Sequence, residues 1–161
     1  MRAVVLVVLA VAPCLALADL AGRVVKVSDG DTLTVLVKNK QVRVRLESID
    51  APESKQTFGK RSQQSLAQLC SGKTALVVTS GKDRYGRTLG WVFCDGIEAN
   101  TEQVRRGMAW VFVQYAPRNS PLYGIEAATR QRRVGLWADA HPVAPWEWRS
   151  RKRTTEVGER W

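Results

Sequence analysis

Two runs of strict alternation constrain this chain more than any other feature. Leu33, Val35 and Val37 alternate with Thr34 and Leu36, and Val42, Val44 and Leu46 alternate with Arg43, Arg45 and Glu47. A period of two lets a strand bury one face and wet the other, so Arg43 and Arg45 are expected to face away from a core. Asp29-Gly30 precedes the first run and Lys38-Asn39-Lys40 separates the two, both with turn chemistry. Residues 22–47 therefore read as a three-stranded meander.

Further along, Thr57 is placed to cap a helix whose buried face is Phe58, Ser62, Ser65, Leu66, Leu69 and Cys70, with Gly72 as its stop. Thr74 to Thr79 and Leu89 to Cys94 are β-rich runs joined by the polar loop 81–87. Asn100 with Gln103 has the spacing of a capping box for a short helix to Arg106 that Gly107 ends, and Ser120-Pro121 opens another helix reaching about Val134. Strands first, one helix between the third and fourth strands and helices appended after the fifth predict an α+β chain. The expected architecture is a closed five-stranded OB-fold β-barrel with about three α-helices rather than a doubly wound sheet.

The 161 residues suit one domain, and 45% hydrophobic with 25% charged residues argues against a largely disordered chain. The formal charge of +10 and pI near 10.1 suit a polyanionic partner such as nucleic acid or an anionic surface. Residues 1–18 read as a cleaved signal peptide: Arg2, an apolar run from Ala3 to Leu17, and small residues at Ala16 and Ala18. The alternatives are a transmembrane anchor, for which the run is short, and a lipoprotein at Cys14, where Pro13 occupies a position that favours a small residue. Cleavage before Asp19 would make the mature protein secreted or periplasmic, with no stable membrane insertion. Cys70 and Cys94 could then close a disulfide, two separately buried thiols being the alternative. Residues 138–161 carry Pro142, Pro145, Trp146 and Trp148 before a basic end. They read as an extended strap laid over the barrel and a disordered tail, or as a base-stacking platform.

Chemistry concentrates where strands begin and end. Asp31 follows the first turn, while Asp50 and Glu53 lie just past the third strand. Two short carboxylates at a barrel rim make a hard oxygen site for a divalent cation, and a longer acid nearby can deprotonate or orient a water. Arg45 projects outward five residues before Asp50, and Arg87 closes the 83–87 loop; guanidinium forks can clamp phosphate and offset the charge of a pentacoordinate transition state. There is no Gly-rich nucleotide loop, no paired-cysteine zinc motif and no His-Glu-x-x-His, and His141, the one histidine, lies in the Pro-rich strap.

Asp29-Gly30-Asp31-Thr32, then Arg45 with Ile49-Asp50-Ala51-Pro52-Glu53, then Asp83-Arg84-Tyr85-Gly86-Arg87 resemble the successive motifs of the staphylococcal nuclease (thermonuclease) family. The resemblance runs from about Gly22 to Trp137 within a domain spanning 19–137. It implies an OB-fold barrel and a calcium-dependent phosphodiesterase acting on DNA or RNA, expected as a monomer. By the same resemblance, Asp31 and Asp50 would bind Ca2+ through their carboxylates and Ala51 through its carbonyl. Glu53 would be the general base or water orienter, Arg45 and Arg87 would hold the phosphate, and Arg84, Tyr85 and Tyr115 would contact substrate. Three departures stand out: Ala51 replaces a threonine, Val113 replaces a second tyrosine, and the segment between Glu53 and the first helix is short. The competing readings are a barrel that binds nucleic acid without cutting it, and a cationic structural protein whose acids merely balance arginines.

Overall fold

The computed structural model describes residues 19–158. The leader assigned to residues 1–18 lies outside the described residues. Five strands form the barrel: β1 (Leu20–Val27), β2 (Thr32–Val37) and β3 (Lys40–Leu46), then, past the short β4 (Ile49–Asp50), β5 (Thr74–Lys82) and β6 (Thr88–Cys94). Their order is β3-β2-β1-β5-β6, and β3 returns to pair in parallel with β6, which closes the sheet on itself. The alternation read from the sequence places Leu33, Val35, Val44 and Leu46 fully inside, where Val24, Val77 and Val92 meet them. Lys38 and Asn39 take positive φ in the two-residue β2–β3 turn, as a tight hairpin requires.

Helices close the ends. Helix α1 (Gly59–Cys70) buries Ser62, Ser65, Leu66, Leu69 and Cys70, the face expected. Its start differs from the expectation: Thr57 does not cap it, because Phe58 turns into the left-handed region and occupies the N-cap without a side-chain bond. Cys70, at the end of α1, is bonded to Cys94, at the end of β6. After β7 (Ile97–Glu98) come α2 (Ala99–Arg105), β8 (Trp110–Val111), which pairs with β4, and α3 (Leu122–Gln131). The proposed capping box at the start of α2 is not made. Asn100 and Gln103 are fully buried, and Asn100 instead accepts the Val92 N–H and donates to the Glu47 and Gly90 carbonyls.

The largest correction concerns residues 138–158. Where an extended strap was expected, Pro145–Gly158 is a fourth α-helix, α4; the last three residues of the expected tail lie outside the described residues. Proline at its first position costs nothing there, since that N–H has no partner within the helix. Trp146 packs against a second apolar cluster of Trp110, Leu136, Trp137 and Ala144, stacking on Phe112 with ring centroids 5.5 Å apart and meeting Trp110 edge-on at 5.7 Å. Trp146 thus covers this second cluster, and from a helix. Among the described residues, no helix is long and apolar enough to cross a membrane.

Candidate active site

Strand register gathers the chemistry at one rim. Pairing of β2 with β3 sets Arg45 opposite Thr32, one residue past Asp31, and pairing of β3 with β6 sets Arg45 opposite Leu89, two residues past Arg87. A turn through Ser48, at positive φ, leads the chain into β4 and returns Asp50 beneath Arg45. The loop before Asp31 must come close to both Ala51 and α1. A Cβ on Gly30 would lie 1.8 Å from the Ser62 Oγ and 2.7 Å from the Ala51 Cβ, so glycine is needed there for close approach. Gln103 holds the same loop from behind, donating to the Gly30 carbonyl at 2.7 Å.

Arg45 lies between the two buried acids, with Nη1 2.6 Å from Asp31 Oδ1 and Nη2 3.0 Å from Asp50 Oδ1. Asp31 also accepts the Thr32 hydroxyl (2.9 Å) and, on Oδ2, the Ala51 N–H (2.9 Å). Thr32 Oγ1 in turn accepts Arg87 Nη1 at 3.4 Å, while Arg87 Nε pairs with Asp83 at 2.7 Å. A hydrogen-bonded chain therefore links Arg87 to Asp31. Burial raises the Asp50 pKa; the Arg149 hydrogen bond pulls it down and the like charge of Asp31 pushes it up again, and the net shift is upward from the ordinary carboxylate value. Asp29, whose Oδ1 accepts the Asp31 N–H at 3.0 Å, is pushed up to about 7 by burial and then by the charge of Asp31. Burial works against the Arg45 charge, but Asp31 and Asp50 outweigh it and hold its pKa high.

The structure brings Asp31, Arg45, Asp50, Ala51 and Arg87 together. Glu53 stands beside them on the loop after β4 with its side chain 43% exposed. Arg84 and Tyr85 sit on the outer flank: Tyr85 is 67% exposed, with the Arg84 guanidinium 4.9 Å and that of Arg87 5.6 Å from its ring centroid. Tyr115 is also 67% exposed and touches Phe112 edge-on. It lies beyond β8, the partner of the Asp50 strand. Val113 is exposed nearby.

One charged side chain at this rim escaped the sequence reading. Arg149 of α4 places Nη2 2.7 Å from Asp50 Oδ2 and Nη1 2.8 Å from Glu53 Oε1. The signal was present in Pro145-Trp146-Glu147-Trp148-Arg149: proline at a first helical position, with an aromatic residue and an arginine three apart on one face.

Among the described residues no three His, Cys, Asp or Glu side chains gather as a metal cluster; the donor set is two carboxylates. Their chemistry nonetheless fits an oxygen-preferring divalent cation. A carboxylate offers about four lone-pair positions, and Asp31 and Asp50 each receive three donors. Each therefore keeps acceptor capacity that suits an oxygen-preferring cation.

The family model for staphylococcal nuclease homologues matches residues 43–139, a span that includes Arg45, Asp50, Glu53 and Arg87 and begins after Asp31. A protein of Escherichia coli O157:H7 described as an uncharacterized endonuclease is 48% identical over 137 residues, covering 84% of this chain and 88% of its own length. Micrococcal nuclease of Shigella flexneri is 41% identical over 159 residues, or 92% and 91% of the two chains. Staphylococcal-like nuclease CAN1 of Arabidopsis thaliana is 42% identical over 114 residues, 71% of this chain and 35% of its own. With the closed barrel and the acid–arginine rim already in place, these matches show that the chain belongs to the staphylococcal nuclease family of phosphodiester-hydrolysing enzymes.

Proposed function

We propose that the protein is an exported, calcium-dependent nuclease that hydrolyses phosphodiester bonds of DNA or RNA at the Asp31–Arg45–Asp50 rim, acting as a monomer. The observation that carries the reading is Arg45 bonded at once to Asp31 and Asp50: it sets two buried acids, which suit a hard cation, beside a fixed guanidinium, which suits phosphate. The Asp31 and Asp50 carboxylates, with the Ala51 carbonyl, would hold Ca2+, which when bound supplies a Lewis acid for a phosphate oxygen.

The remaining work falls to the chain. Arg45, fixed by strand packing, and Arg87, at the head of β6, offer forks that suit phosphate oxygens and gain strength as charge builds toward the transition state. Glu53, partly exposed beside Asp50, takes a proton from the attacking water or orients it. Arg84, Tyr85 and Tyr115 border the rim where the rest of the substrate would lie. The net charge of +10 favours a polyanion. Export is supported by the leader-like residues 1–18 and by the Cys70–Cys94 disulfide, which persists in oxidising compartments.

The test is a comparison of variants on single-stranded DNA. Asp31→Ala and Asp50→Ala should weaken calcium binding measured by calorimetry, whereas Glu53→Gln should bind calcium and lose turnover. Normal turnover in Glu53→Gln would remove it from the mechanism.

A further inference from the structure

Arg149 belongs to a helix that the sequence pattern left outside the site, and its placement is built rather than incidental. Trp146 seats α4 against Phe112 and Trp110. Arg149 follows it by three positions, so the two share a helix face, and the face that docks is the face that delivers the guanidinium. The fork spans two carboxylates: Nη2 and Nη1 lie 2.7 and 3.3 Å from the two Asp50 oxygens, and Nη1 lies 2.8 Å from Glu53 Oε1.

The two acids are unequal. The Asp50 side chain is 1% exposed, sits in β4 and is already bonded to Arg45. Glu53 has a longer side chain, 43% exposed, on an irregular loop, and left alone such a side chain would sample many rotamers. One planar cation joined to a rigid carboxylate and to a mobile one fixes the second relative to the first. The segment leading into α4 holds the same loop a second time: Gln56 donates to the Val143 carbonyl at 2.6 Å and accepts the Glu53 N–H at 3.2 Å.

We infer that Arg149 is a positioning residue of the nuclease site, holding the Glu53 carboxylate in register with Asp50, so that the C-terminal helix is part of the active site. The inference rests on the reading of Glu53 as the group that handles the water. Arg149 acts through Glu53. It is distinct from a cation that only shields acids from one another, which would affect stability, and from one that competes with metal for Asp50, whose removal would help.

The experiment compares the full chain with Arg149→Gln, Arg149→Lys, Glu53→Gln and the Arg149→Gln/Glu53→Gln double variant on single-stranded DNA at saturating calcium. Arg149→Gln should lower kcat by about 10- to 100-fold with KM changed less than about threefold, the pattern of an interaction lost in the transition state. Arg149→Lys, which keeps the charge but cannot bridge both acids, should recover part of that loss. In the Glu53→Gln background, Arg149→Gln should cost less than about twofold more, since nothing remains to be positioned. Calcium titrated calorimetrically without substrate should bind Arg149→Gln at least as tightly as wild type. Wild-type or raised kcat in Arg149→Gln, multiplying losses in the double variant, or calcium binding weakened in step with kcat would each overturn the inference. Full turnover in Glu53→Gln would overturn the base assignment and this inference together, whereas loss there with full turnover in Arg149→Gln overturns the role of Arg149 alone. If Arg149→Gln fails to fold, the partial loss expected of Arg149→Lys decides the question, and wild-type turnover in that variant overturns the inference.

Discussion

Replacing Gln103 by methionine tests whether the loop carrying Asp31 is held from behind by α2. Gln103 is fully buried, and its Nε2 donates to the Gly30 carbonyl at 2.7 Å and the Ser62 carbonyl at 3.1 Å. Methionine keeps the length and most of the volume but donates nothing. The Ser62 carbonyl lies within α1 and retains a helical partner, so that bond costs roughly 0.5–1.5 kcal/mol. The buried Gly30 carbonyl loses its side-chain donor, at about 1–3 kcal/mol. In the other direction, Gln103 Oε1 is itself buried without a hydrogen-bond partner among the described residues, and its removal returns about 1–2 kcal/mol. The net loss is about 1.5 kcal/mol, or roughly 3–6 °C in Tm for a chain of this size, read by urea titration and thermal melting of tryptophan fluorescence. Gln103→Glu should lose more, since a carboxylate cannot donate to either carbonyl and would place buried charge against both. A Gln103→Met protein within about 0.5 kcal/mol of wild type, the range of an inconsequential surface change, would refute the accounting.

The Cys70–Cys94 bridge spans a sequence separation of 24, for which loop-closure entropy gives about 3.5 kcal/mol; reduction or Cys70→Ala/Cys94→Ala should lower the urea midpoint accordingly, and unchanged unfolding under reductant would contradict it. Glu126 is raised above the ordinary glutamate value chiefly by burial, against the Val111 N–H and Arg130. A raised acid binds its proton more tightly when folded, so its contribution is present below the unfolded value of about 4.5 and is lost as pH rises through the folded value. Glu126→Gln should therefore flatten the fall in stability as pH rises from the unfolded value through the folded one, and an unaltered slope in urea titrations across that interval would refute the assignment. Arg45→Lys and Arg87→Lys should each lower the turnover number by about two to three orders of magnitude, because a lysine keeps the charge but not the fork; a change confined to KM would indicate uniform substrate binding instead.

The barrel was legible because its signal is local and repeated. Alternation at Leu33–Val37 and Val42–Leu46 specifies two strands and their buried faces directly, and Lys38-Asn39 specifies the turn that registers them. That register carries Arg45 to Thr32, beside Asp31; the acids and arginines themselves were named in advance from their places at strand ends and from the resemblance of their motifs to a known family. The misreadings share a cause. Asn100 and Gln103 have the spacing of a cap, yet they serve Val92, Gly90, Glu47, Gly30 and Ser62, partners from 8 to 73 positions away, and such long-range satisfaction of buried polar groups leaves no periodic trace. Thr57 likewise yields the cap to Phe58, whose left-handed backbone is set by its loop. Helix α4 was missed because its sequence is polar and basic, with weak amphipathicity; its order comes from Trp146 and Ala144 docking on a cluster assembled by the rest of the chain. Arg149 could not be placed until that helix was.

The central claim is that catalysis uses a divalent cation held by Asp31 and Asp50. Cleavage of single-stranded DNA, duplex DNA and RNA, followed side by side across a calcium titration with and without excess chelator, tests it most directly. The account predicts that cleavage of at least one substrate rises saturably with calcium and is abolished by chelator while the barrel stays folded by circular dichroism, with the titration shifted to higher calcium in Asp31→Ala. Full cleavage in excess chelator would contradict it.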